Sequence, residues 1–104
     1  MTSIASITTS VLVTLTVKPE IARADLMKVM PEELRATIGL YLDGKILQWY
    51  GRADNRGVIF IVNATNVDDA KKVMEDLPFE KQGMVRSDYV ALTPLTPLRS
   101  MMSP

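Results

Sequence analysis

Between Ser10 and Leu92 the hydrophobic pattern changes period repeatedly, from the alternation of a strand to the spacing of an amphipathic helix and back. The resulting order is β-α-β-β-α-β, and nothing else in the chain restricts the fold as strongly. A split βαβ layer of this kind places both helices on one side of its sheet. The other side is left bare, and a second copy of the chain is the usual cover. The 104 residues suit one domain over 1–104, with a core at about residues 10–92 and an extended tail over 93–104.

In the first strand Val11, Val13, Leu15 and Val17 alternate with Leu12, Thr14 and Thr16, so at least one face is buried. Lys18, Pro19 and Glu20 end it. A helical pattern then carries Leu26, Met30, Leu34, Ile38 and Tyr41 or Leu42 on one stripe, interrupted by Pro31. Proline removes a hydrogen bond inside a helix but is tolerated at its first position. The pattern therefore predicts a short helix, a break near Met30 and a second helix from Pro31, with Glu32 and Glu33 at the positive end of its dipole. Gly44 suits the residue after the helix, where a positive φ is needed.

Residues 46–52 and 58–63 read as a hairpin around the turn formers Ala53, Asp54, Asn55, Arg56 and Gly57, the glycine supplying the unusual backbone conformation. Asn66 is placed to cap the second helix with Asp69 three residues on. Val67, Ala70, Val73, Met74 and Leu77 form its inner stripe before Pro78 stops it. The last strand spans about residues 83–92. Beyond it Pro94 and Pro97 exclude an interior strand, which fits either a tail crossing onto a neighbouring subunit or a frayed end.

Composition closes off several kinds of chemistry. There is no Cys and no His, so thiolate nucleophiles, zinc–thiolate sites and imidazole bases are absent, and proton chemistry must rest on Asp, Glu, Lys, Tyr or Arg. Lys plus Arg and Asp plus Glu number 12 each and form no basic block, which argues against nucleic acid. No run approaches the roughly 20 apolar residues of a membrane span, and residues 1–10 lack the charged start of a leader; the expectation is a cytoplasmic protein without a membrane partner.

Pairing Arg52 with Val58 across the turn sets Tyr50 opposite Phe60 and Gln48 opposite Val62. Leu47, Trp49, Ile59 and Ile61 then share the other, wholly apolar face, the natural seat for the helices. Gln48, Tyr50, Arg52, Thr14 and Thr16 fall on the face a partner would cover, with Phe60 beside them and Arg86 and Asp88 joining in the right register. A mostly apolar cavity with a few convergent polar groups is the usual form of a small-molecule pocket, so these residues are the candidate substrate-binding set.

The segments Leu26 to Ala36 (LMKVMPEELRA), Leu42 to Lys45 (LDGK), Tyr50 to Gly57 (YGRADNRG) and Asp76 to Phe79 (DLPF) resemble the muconolactone isomerase-like branch of the dimeric α+β barrel superfamily. The resemblance covers residues 10–98. It implies a ferredoxin-like α+β fold with an antiparallel sheet, and a homodimer whose two sheets face each other and can assemble further into a ring. It also implies an enzyme that isomerises a small organic substrate next to a carbonyl, using neither metal nor organic cofactor. In that reading Glu33 removes the proton while Tyr50 and Arg52 hold the developing oxyanion. The residues leave open a non-catalytic ligand-binding or scaffold protein of the same fold.

Overall fold

The computed structural model describes residues 8–94. Its elements are β1 (Ser10–Val17), α1 (Arg23–Leu42), β2 (Ile46–Gly51), β3 (Gly57–Val62), α2 (Val67–Glu75), the short α3 (Pro78–Lys81) and β4 (Val85–Leu92). The strands form one antiparallel sheet in the order β2-β3-β1-β4, a ferredoxin-like α+β arrangement. Most of the expected tail lies outside the described residues. Among those described, no helix is long and apolar enough to cross a membrane.

β1 is the central strand that organises the core. Val11, Val13 and Leu15 are buried and pair with Val62, Phe60 and Val58 of β3, so all six side chains share the helix-covered face. Ala70 and Met74 of α2, Leu77, Phe79 of α3 and Leu40 of α1 close over them. Asn66 caps α2 as its sequence suggests, its side chain accepting the Asp69 N–H at 2.7 Å. Pro78 ends α2 and opens α3 as its first residue.

Three details differ from the sequence reading. First, α1 runs unbroken through Pro31, which is exposed. The ring points to solvent, where the Met27 carbonyl that lacks its partner can be hydrated. Leu26, Val29 and Met30 on the preceding turns pack against the core and hold the helix together. Its C-terminus closes as a Schellman motif: Gly44, at φ 76°, donates to the Tyr41 carbonyl and Lys45 to the Leu40 carbonyl.

Second, the β2–β3 hairpin is one residue out of the expected register. Trp49 pairs with Phe60, Tyr50 with Ile59 and Gly51 with Val58, and a bulge lies between Ile46 and Gln48. Trp49 therefore keeps the helix side while Ile59 and Ile61 turn to the bare face, and Phe60 and Val62 take the core positions. Trp49 is also no core residue: it is 39% exposed on the edge strand, packed edge-to-face with Tyr41. Third, the left-handed residue of the turn is Asn55 (φ 60°), not Gly57. Gly57 is required by space, because a Cβ there would stand 1.8 Å from the Leu15 carbonyl oxygen.

Candidate active site

The buried stripe of α1 is Leu26, Met30, Glu33, Thr37 and Leu40, with Glu33 and Thr37 among the most buried. This sets a carboxyl on the inner surface of the helix, above the β2–β3 edge of the sheet. There Glu33 borders a cavity of about 250 Å³ whose walls are Met30, Leu34, Trp49, Val58, Phe60 and Phe79. Thr37, its other polar side chain, donates to the Glu33 main-chain carbonyl at 2.8 Å. A second cavity of about 210 Å³ continues the space toward the hairpin turn and shares Met30, Gly51, Val58 and Phe79 with the first.

Glu33 is 5% exposed. Burial pushes its carboxyl above the ordinary range; the Phe79 N–H, donating to Oε1 at 2.9 Å, pulls it partly back, and the nearby Glu80 pushes it further up. Among the described residues the Phe79 N–H is the hydrogen-bond donor to this carboxylate, and it meets one of the two oxygens. A carboxyl so placed exchanges a proton nearer neutrality than a solvated one, and it does so beside apolar walls that fit the body of a small molecule.

The remaining candidates are gathered on the opposite side of the sheet. Thr14 and Thr16 of β1 pair with Asp88 and Arg86 of β4, and Gln48 and Tyr50 of β2 flank Ile61 and Ile59 on the same face. Arg52 follows at the end of β2, donating to the Thr16 hydroxyl at 2.8 Å and to Asp54 at 2.6 Å. The Arg56 N–H, and with it the Arg52 guanidinium, holds the Asp54 carboxyl below its usual range. Arg86 lies 3.7 Å from Asp88.

The bare-face set is thus assembled as the sequence suggested, except for Phe60. That residue, expected beside Tyr50, is 1% exposed and forms the floor of the Glu33 cavity, because Val13 of β1 pairs with it. Tyr50 lies across the sheet from Glu33, and Arg52, although it lines the second cavity, has its guanidinium engaged by Thr16 and Asp54, so the three do not converge. Leu34, Thr37, Val58 and Phe79 also line this cavity, and no motif in their sequence neighbourhood marks them as pocket residues. The signal available is the i, i+3, i+7, i+10 row Met30, Glu33, Thr37 and Leu40, which competes with the more hydrophobic row through Leu34, Ile38 and Tyr41.

No family model and no curated protein matches the chain. Among solved structures the fold is similar to that of 5-chloro-2-hydroxyhydroquinone dehydrochlorinase (TftG) from Burkholderia phenoliruptrix AC1100, in complex with 2,5-dihydroxybenzoquinone. The TM-score is 0.63 at 18% identity, over 81% of this chain and 93% of that one. At this identity the likeness is one of fold.

Proposed function

We propose that this chain is a small-molecule enzyme of the dimeric α+β barrel superfamily, in its muconolactone isomerase-like branch, and that it moves a proton next to a carbonyl group with Glu33 as both base and acid. The observation that carries the reading is a buried carboxyl, tied through one oxygen only among the described residues, on the wall of a mostly apolar cavity. At about 250 Å³ the cavity falls just below the roughly 300–1,000 Å³ of sites for drug-sized ligands, which suits a molecule with a single ring. The ring-shaped ligand of the structurally similar dehydrochlorinase supports the same size class.

Among the described residues that line this cavity Glu33 is the only ionisable one, Arg52 lining the adjoining space, so one carboxyl serves both half-steps. Its other oxygen takes the proton from the carbon beside the carbonyl; the C–H pair forms a carbon–carbon double bond and the carbonyl π pair moves onto oxygen to give an enolate. The protonated Glu33, which exchanges with solvent, then returns a proton either to the same carbon or to the far carbon of the conjugated system, leaving the carboxylate as it began. Burial brings the proton affinity of Glu33 closer to that of the enol and improves the match between donor and acceptor. Thr14, Gln48, Tyr50 and Asp88, on the other side of the sheet, belong in this proposal to the homodimer contact. A cytoplasmic location fits the lack of Cys.

The test is solvent exchange in D₂O. Cyclic enones, unsaturated lactones and hydroxylated quinones are incubated with the protein, and deuterium entry beside the carbonyl is followed by NMR. Glu33→Gln, which keeps an acceptor for the Phe79 N–H, is expected to slow exchange by about 10²-fold or more. Exchange at the wild-type rate in that variant sinks the assignment. The Glu33–Phe79 bond, which ties α1 to α3, favours the second reading, a non-catalytic ligand-binding or scaffold protein in which Glu33 is a packing element. Ligand-induced stabilisation without exchange in either protein is its signature.

A further inference from the structure

Next to the β2–β3 turn a cleft of about 350 Å³ is lined by three cationic residues: Lys18 from the segment after β1, Arg56 from the turn itself and Arg86 from β4. One carboxylate, Glu20, lines the same cleft, so positive charge is concentrated here in a chain whose formal net charge is zero. Among the described residues neither Lys18 nor Arg56 forms a close ion pair, although Glu80 lies within electrostatic reach of Lys18 and Asp54 of Arg56, and the Arg86 contact with Asp88 is long and exposed.

The backbone holds the three in place. The Val17 N–H donates to the Arg56 carbonyl at 2.9 Å and the Lys18 N–H to the Met84 carbonyl at 3.0 Å, while Thr16 pairs across the sheet with Arg86. Thr16 accepts a hydrogen bond from Arg52, which leaves its own hydroxyl proton to donate. Like charges gathered at fixed positions repel one another unless an anion neutralises them, and a guanidinium pair with an ammonium matches the oxygens of a carboxylate or phosphate.

We propose that the cleft formed by Thr16, Lys18, Arg56 and Arg86 binds a small oxyanion, a carboxylate or a phosphate group, at a site separate from the Glu33 cavity. It does not depend on the acid–base reading, since none of its residues lines the Glu33 cavity, but Thr16 and Arg86 stand at the end of the bare face and the dimer contact must leave that end uncovered.

It is tested on the isotopically labelled protein by titrating inorganic phosphate, succinate and chloride at constant ionic strength and following backbone amides by NMR. Saturable shifts of Val17, Lys18 and Arg56 with phosphate or succinate, absent with chloride, are expected. A response to one of the two oxyanions alone identifies the group bound. Arg56→Gln and Arg86→Gln, both at exposed side chains, are each expected to weaken the response about tenfold, the loss of one charge-assisted contact, with unchanged melting temperatures. Glu33→Gln is expected to leave the response as in the wild type. Equal shifts with chloride, or variants that respond like the wild type, overturn the proposal.

Discussion

A carboxyl at position 33 is stabilised differently in the folded and unfolded chain, and the difference can be read as stability against pH. Burial raises its folded pKa above the ordinary glutamate value of about 4.3. A raised pKa means that the folded state holds the proton more tightly than the unfolded one. Stability from this group is therefore fully present below the unfolded value and is lost as pH rises through the folded one. Glu33→Gln has no charge to bury. Its melting temperature should gain on that of the wild type between pH 4 and pH 7, the gap opening over the range in which Glu33 ionises. Parallel curves across that range would mean that the carboxyl is solvated after all. Glu80, raised chiefly by burial as well, stays in both proteins, and losing the Glu33 charge eases its ionisation too, which adds to the gap in the same direction.

At the scale of elements, α1 carries the clearest conflict between local and tertiary preference. Pro31 interrupts the hydrogen bonding of a 20-residue helix, yet the turns before it are retained because their apolar side chains are packed. Pro31→Ala should restore the bond to the Met27 carbonyl and stabilise the protein by about 1–3 kcal/mol, read from chemical denaturation. A neutral or destabilising result would point instead to a real break at Met30. The same helix turns Leu34, Ile38 and Tyr41 outward, at 52%, 49% and 45% exposure, and seats the row with Glu33 and Thr37 against the sheet. The more hydrophobic stripe is thus the outer one, adjoining Leu47 and Trp49 on the β2 edge, which is also largely uncovered.

For the whole molecule, the sheet has one face sealed by helices and one face bare. Leu12, Ile59, Ile61 and Val90 stand there among Thr14, Gln48, Tyr50, Arg86 and Asp88, with Tyr50 and Val90 more than half exposed. Apolar side chains interleaved with polar ones are what the proposed homodimer would cover. Light scattering at micromolar concentration should give a mass near twice 11.6 kDa, and Val90→Asp, which sets a charge into that face, should shift it toward the monomer. A monomeric wild type would remove the sheet-on-sheet dimer from consideration.

The order of elements, the cap at Asn66, the positive φ of Gly44 and the identity of β1 follow from the sequence alone, because each depends on neighbours within a few residues. Glu33 and most of the bare-face residues were also legible as candidates, from residue type and alternation. Which of them share a space was not. That depended on pairings far apart in the chain: Val13 against Phe60 turned Phe60 inward, the bulge between Ile46 and Gln48 moved the hairpin by one residue, and the packing of α1 chose Glu33 over Leu34 for the inner face. A strand changes face with every residue and a helix row with every one or two. Long-range contacts costing little in local propensity therefore decide where a carboxyl points, and with it on which side of the sheet this protein has its cavity.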